Sequence, residues 1–524
     1  MQPQSVSPVN VFTNDPHAQG LGLEQIMPPT GKSPFAIPGW SGRGGLFQPG
    51  TPEFQAGELY VVLTNTFAAW VDFFGADFQW QPRIAQLPIV PRAGKDFNAY
   101  YDRRGLKFFY NTDPKTQQVM YTCESADIVA HECGHAILDA HHPDYWDSLL
   151  GETGAFHEAF GDMSALLVTL SDPRVRAVVL TENDGDLAKS NSVSRLAEQL
   201  ALGLFDSGYT DAVDGANALR DAVNKFKYKN PDTLPGRTPA SKLSSESHNF
   251  SRVFSGAFYD LLVAIYEQLR KANASLAPDA ALDQVRLEAG HLLAQGLMLA
   301  PRGDAQFKTI ASSMITADQQ HNQGKYFFAL KKVFSTRRIL KASEANALEK
   351  SASGAHTVTS SLAGTASGTL GKSLAMVGAD MGGDLPSDVR RALKVSKREF
   401  QLVGQQTKRD QSRVLHYTST RQVELKGKQL GVARGAVVTV TDAVSLQVDQ
   451  DGMVMSSHQH KVDRGQEQRI VDHVAKLVER NRVYAAKEGE AVDPAALIAT
   501  KQPYYVAYDE QGQKTIHRAF IACH

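Results

Sequence analysis

The sequence predicts an α+β protein in two folded units, and three features of its 524 residues carry that prediction. The run LPIVPRAGKDFNAYYDRRGLKFFYN (87–111) has the aromatic and β-branched content of short strands, broken by turn residues. A long stretch of helical periodicity, 122–345, follows it. Small residues then take over in SASGAHTVTSSLAGTASGTLGKSLAMVGADMGGD (351–384), and beyond them alternating apolar runs return.

In chain order, residues 1–57 are rich in Pro, Gly and polar residues, including Met27-Pro28-Pro29, and read as an extended arm, a short pro-segment, or a segment draped over a neighbouring domain. A main unit spans 58–345 and opens with GELYVVLTNTFAAWVDFFG, an apolar-faced helix. A Gly/Ser/Thr-rich linker covers 346–387, and a smaller α+β unit covers 388–524. In that second unit Asp388–Arg434 holds twelve Lys/Arg against four Asp/Glu, read first as a solvated basic face. The runs AVVTVTDAV and SLQVDQDGMVMSS follow, with Asp451-Gly452 suited to a hairpin turn. Next comes a helix with Ile470, Val471, Val474, Leu477 and Val478 on one face, then a closing hairpin, YYVAYDEQGQKTIHRAFIA.

Bulk composition excludes more than it assigns. With 42% apolar and 21% charged residues the chain is neither disordered nor fibrous. A formal net charge of −1, from 55 basic and 56 acidic residues, gives no overall reason to expect nucleic acid or an anionic membrane as partner. No apolar run approaches the roughly 20 residues of a membrane span, and the start lacks a secretion signal. Cys123, Cys133 and Cys523 form no disulfide framework, so the default location is the cytoplasm, with signal-independent export as the alternative.

The strongest local signal is SADIVAHECGHAILDAHH (125–142). His131 and His135 stand at i and i+4, one turn apart on one helix face, so both imidazoles can reach a single zinc ion. Glu132, beside the first of them, can then act as general base toward an attacking water. In a chain with 16 His, HExxH arises by chance at about the 2% level.

Two residues compete as third ligand. His141 has the spacing of the metzincin motif, but Leu138 stands where that motif has Gly; on a continuous helix His141 points about 240° away from His135. The other is Glu158 in GETGAFHEAFGDMSALL (151–167), which also carries Asp162 on the same side of an apolar helical stripe. Asp162 would orient a ligand His through its distal N–H.

Over residues 57–342 the sequence resembles the thermolysin-like zinc endopeptidases, the gluzincins, whose third ligand is a Glu. The resemblance implies a mixed, β-rich N-terminal subdomain and a helical C-terminal subdomain flanking a cleft, joined by the HExxH helix. It implies Zn2+ on His131, His135 and Glu158, Glu132 as general base, and peptide or protein as substrate. FNAYYDRRGLKFFY resembles the family's edge strand, so Asn98 and the Ala99 carbonyl would hold substrate backbone. ALRDAVNKFKYKNPDTLPG and SESHNFSRVFSGAFYDLL resemble the segments bearing the family's Arg and His. Arg220 and His248, 28 residues apart, would therefore bind a substrate carbonyl and the oxyanion. APRGDAQFKTIASSMITADQQHNQGKYFFALKKVF (300–334) resembles the closing helices, and no Gly-x-Met-Glu-Asn signature points to an aminopeptidase.

The pattern also departs from the family. Leu149 stands where an oxyanion-binding Tyr is usual, with Tyr145 the nearest substitute; His157 replaces an Asn and would support His135. Leu243 replaces the acid that orients the catalytic His, leaving Glu246 as stand-in. Asp127 matches a calcium-ligand position, but Thr169 replaces a carboxylate of that site, so calcium is not expected. Two further readings follow: the second unit, or the arm, restrains or targets the protease, or the chain is a zinc-binding scaffold that has lost efficient catalysis.

Overall fold

A computed structural model describes residues 6–76, 78–349, 385, 390, 400–408, 411–450 and 454–522. It is a mixed α and β structure in which helices and sheets are segregated, as an α+β protein requires. Among the described residues no helix is long and apolar enough to cross a membrane.

The first long helix, Pro52–Phe74, starts earlier than the apolar stripe suggests. Thr51 caps it by accepting from the Phe54 N–H, Pro52 sits where a helix needs no donor, and Gly75 closes it in the left-handed region. Its Trp70, Phe73 and Phe74 are buried in a core that also takes in the strands, the HExxH helix and the later helices. Of the expected arm, part is draped over this helix as paired extended strands. Val9–Phe12 and Leu23–Ile26 pair antiparallel, and Val9 and Val11 pack on Tyr60 and Val61 of the helix. Alternating apolar residues Val9 and Val11 supply that buried face.

Strands from distant parts of the chain form a five-stranded sheet in the order Ile521–Ala522, Ala99–Tyr101, Leu106–Phe108, Leu87–Val90, Phe35–Ala36. Ala99–Tyr101 and Leu106–Phe108 form the expected antiparallel hairpin. Gly105 is required there because a Cβ would lie 2.3 Å from the Pro88 carbonyl oxygen. The helix Ala126–His141 packs against the Ala99–Tyr101 strand of this sheet, Gly151–Thr169 packs beside that helix, and Ser247–Ala272 packs on Gly151–Thr169. Pro278–Leu299, Phe307–Asn322 and Phe327–Thr336 complete the helical layer.

The second unit is built on one long antiparallel pair, Arg413–Glu424 with Val437–Val448, in register from Arg413↔Val448 to Glu424↔Val437. Val454–His460 pairs with Val437–Val448, while the Asp451-Gly452 turn lies outside the described residues. The expected helix runs Arg464–Glu479 with a capping box between Asp463 and Gln466, and buries Ile470, Val474 and Leu477. Tyr504–Tyr508 and Lys514–Arg518 form the expected hairpin.

Two boundaries need correction. A helix over 342–349 continues past the expected start of the linker at 346, and most of that linker lies outside the described residues. The final segment does not end as a hairpin: after Arg518 the chain leaves its own sheet, and Ile521–Ala522 pairs with Ala99–Tyr101 of the first unit.

Candidate metal centre

Local sequence brings the HExxH helix and its neighbour unusually close. A Cβ at Gly161 would lie 2.6 Å from the His131 ring, and one at Gly134 would lie 2.6 Å from the Ser164 hydroxyl. Only glycine leaves room for this approach. It places Glu158 Oε2 3.5 Å from His131 Nε2, and Glu158 Oε1 3.9 Å from His135 Nε2. A tetrahedral zinc with bonds of about 2.0–2.1 Å has donor–donor edges of about 3.4 Å, so these separations fit one ion.

The electrostatics point the same way. His131 Nε2, both nitrogens of His135, Glu158 Oε2 and both oxygens of Glu132 are buried with no hydrogen-bond partner among the described residues. Unpartnered buried polar atoms are costly unless something else satisfies them, and a cation among two imidazoles and a carboxylate would do so. Donor atoms of His131, Glu132 and His135 lie within 4.8 Å of one another. Glu158 also faces this cluster, its two oxygens each toward one ring nitrogen, whereas Glu132 follows His131 directly and lies about 100° round the helix from it.

Around the three donors stands a supporting shell. Asp162 Oδ1 lies 3.2 Å from His131 Nδ1 and accepts from Arg220 Nε and Nη2 at 3.1 and 2.9 Å. Burial opposes charge on His131, but Asp162 and Glu158 prevail and carry its pKa up to about 9. Asp162 stays below the usual carboxylate range although it is buried, because Arg220 and His131 flank it. Burial, reinforced by nearby Glu158, pushes Glu132 up to about 8.

His248, on the first turn of Ser247–Ala272, has its Nε2 3.5 Å from Glu158 Oε1 and its Nδ1 2.6 Å from Glu246 Oε1. Glu246 also caps that helix by accepting from the Asn249 N–H at 3.0 Å. Glu246 thus both caps the helix and holds the His248 ring. Burial works against the charged His248 ring; Glu158 and Glu246 overcome it and raise its pKa to about 9.

The strand Ala99–Tyr101 is tied to the HExxH helix through Asp139. Its Oδ2 accepts from the Tyr101 hydroxyl and Arg103 Nε, each at 2.9 Å, and its Oδ1 from Arg103 Nη2 at 2.7 Å. Asn98, at the start of that strand, turns its side chain back on the Ala99 N–H at 2.9 Å, while its carbonyl accepts from Phe109 N and the Thr122 hydroxyl.

Several sequence expectations need revision. His141 lies on the same continuous helix but stacks on Phe74, ring centroids 3.6 Å apart, which removes it as a third ligand. Tyr145 stacks on His142 and donates its hydroxyl to the Pro301 carbonyl at 3.3 Å, so it does not replace the oxyanion-binding Tyr. The rings of His157 and His135 are 5.9 Å apart with no hydrogen bond between them, so His157 does not support His135. Arg220 reaches the centre through Asp162, a positioning contact beside its expected one with substrate. Asp127 accepts from Ile128 N at 2.8 Å and Ala197 N at 2.6 Å, and the Ser125 hydroxyl bridges it to Asp15 of the arm.

The sequence signal for the close approach at Gly161 is a glycine inside an otherwise apolar helical stripe. No family model matches this chain, and no curated protein matches it.

Proposed function

We propose that the protein is a zinc-dependent endopeptidase of thermolysin-like architecture, with the strands around Ala99–Tyr101 and the helices around Ser247–Ala272 as the two walls of its cleft. One observation carries the reading: the buried, unpartnered donors of His131, His135 and Glu158 converge at ligand spacing with the free carboxylate of Glu132 beside them. When bound, zinc would supply Lewis acidity toward water and the peptide carbonyl.

The remaining steps belong to the chain. Glu132, whose two oxygens have no hydrogen-bond partner among the described residues, takes a proton from the attacking water and later gives it to the leaving amine. His248, held by Glu246, donates from Nε2 to the oxyanion. Asp162 fixes the His131 ring, and Arg220 fixes Asp162. Buried free Cys123 and Cys133 suit a reducing compartment, the cytoplasm.

A second reading, a zinc-binding scaffold without efficient catalysis, draws on Tyr145, whose hydroxyl is engaged by Pro301. One experiment separates the two: zinc content and cleavage of an unstructured protein by wild type, Glu132→Gln and Glu158→Gln. The enzyme reading expects full zinc without cleavage in the first variant and weakened zinc in the second. Zinc-loaded wild type that cleaves nothing, even with its edge strand cleared, would leave the scaffold.

A further inference from the structure

The strand that the peptidase reading assigns to substrate already carries a peptide. Ile521–Ala522 pairs antiparallel with it, Ile521↔Tyr101 and Ala522↔Tyr100, as the outermost strand of the five-stranded sheet. Without those residues Ala99–Tyr101 would be the sheet edge, a row of backbone donors and acceptors ready for an extended chain. Each N–H donates once, so groups used by the resident strand are not offered to a second peptide.

We propose that Ala519–Ala522 is a resident pseudosubstrate strand, keeping the cleft latent until an extended apolar polypeptide competes for the same edge. This rests on the peptidase reading above and adds its regulation.

Three observations support the assignment. First, the segment leaves its own sheet to reach this position: Lys514–Arg518 still pairs with Tyr504–Tyr508, and the switch occurs within three residues of Arg518. Second, it is anchored by side chains, as a bound peptide is. Phe520 is buried beside Tyr100, ring centroids 5.8 Å apart, in a cluster with Phe109 and Leu497; Ile521 is 4% exposed within the core of the first unit. Arg518 donates to the carbonyls of Trp146 and Ser148, between the two metal-site helices.

Third, the unit that carries the strand also grips the opposite wall. Lys476 Nζ donates to the carbonyls of Pro231 and Asp232, in the loop before the His248 helix, and Arg469 pairs with Asp232 at 3.2 Å. The His473 ring fills the space beside Gly151, at the first turn of the helix bearing Glu158. With both walls held, Glu132 and His135 are 0% exposed and Glu158 is 2% exposed. A bulky aromatic followed by a branched aliphatic, Phe520-Ile521, marks the side chains this edge accepts. Unfolded polypeptide rich in such residues is the substrate class that would displace the strand.

The test compares the full chain with two variants, one deleted from Ala519 onward and one full-length with Phe520→Ser and Ile521→Ser together. Each is made with and without Glu132→Gln and checked for zinc content and cooperative unfolding. In the zinc-loaded Glu132→Gln forms, a labelled peptide of residues 515–522 is titrated, and amide exchange is followed at residues 99–101. The proposal expects at least tenfold tighter peptide binding by both variants than by the full chain. It also expects at least 100-fold faster exchange at the edge strand, restored by the peptide.

In the Glu132 forms, cleavage of an unstructured protein should rise at least tenfold. Unchanged exchange on deletion, or a full chain that binds peptide or cleaves as well as the variants, overturns the resident strand and leaves the peptidase reading intact. Variants that expose the edge and bind zinc and peptide but cleave nothing sustain the strand assignment and sink the peptidase reading.

Discussion

Replacing Gly161 by Ala tests whether helix approach sets the metal centre. The added Cβ would lie 2.6 Å from Cε1 and Nδ1 of His131 and 2.8 Å from its Cγ. Carbon contacts settle at about 3.5–4.0 Å, so the ring must move by about 1 Å. It cannot simply swing aside, because Asp162 and Glu158 hold its two nitrogens at 3.2 and 3.5 Å. Metal–ligand distances tolerate about 0.2 Å, and disturbing a ligand's support alone costs about 10–100-fold in affinity. Displacing the ligand itself should reach about 100-fold, or about 2.7 kcal/mol.

Metal-free stability should change less. Alanine gains about 0.5–1 kcal/mol over glycine inside a helix, against about 1–3 kcal/mol for overpacking. Zinc affinity by chelator competition, with urea unfolding of the metal-free protein, measures both terms. Gly154→Ala on the same helix is the control, since its Cβ meets the rotatable Ser247 hydroxyl at 2.9 Å. Zinc affinity within twofold of wild type for Gly161→Ala would refute the reasoning.

Three further outcomes follow from the same geometry. Asp162→Asn removes the negative charge that faces His131 Nδ1 and Arg220, and should lower zinc affinity about 10–100-fold in the same competition assay. Arg103→Leu leaves buried Asp139 with the Tyr101 hydroxyl as its one side-chain donor among the described residues and should destabilise the protein by about 3 kcal/mol in urea unfolding. Burial raises the Glu152 carboxyl from 4.5 to about 7, against the Phe307 N–H and Tyr228 hydroxyl that favour its charged form. Its folded pKa lies above its unfolded one, so its stabilisation is complete below pH 4.5 and fades as pH rises through 7, about 3 kcal/mol in all. Glu152→Gln should therefore be the more stable protein at pH 8 and gain nothing at pH 4, as unfolding at the two pH values will show.

The centre's donors are legible because short-range helical geometry fixes them: i, i+4 spacing aligns His131 with His135, and the Glu158–Asp162 pair repeats the pattern on the next helix. Glu246 is legible too, since a residue two before His248 at a helix start stays beside it. For Tyr145, position in sequence does not encode direction: a turn after His142 sends its ring toward Pro301. His157 follows the same logic: one residue from Glu158 on a helix is about 100° away, which faces it past His135. For the arm, composition hides the packing. Its Pro and Gly content reads as loop, yet Val9 and Val11 alternate inward against a partner helix only the fold supplies. Strand addition by Ile521 is wholly non-local, joining residues 420 apart in sequence, and no local pattern encodes such a register.

A linker of small residues suggests two units that fold and act separately, but each lends a side chain to the other's core. Leu149, between the two metal-site helices, is 6% exposed within the apolar cluster of the second unit, and Ile521 is buried in that of the first. Undocking the whole second unit would expose both, together with the ion pair of Arg469 and Asp232 and the buried contact of His460 with Asp304. Peeling away Ala519–Ala522 alone exposes Phe520 and Ile521 and frees the edge strand, while Leu149 and the remaining interface stay covered. At about 1.5–3 kcal/mol for each large apolar side chain, the local opening is the smaller excursion. Leu149 therefore anchors the second unit beside the two helices that flank it, so that on the proposed reading access is governed by a short strand and not by separation of the two units.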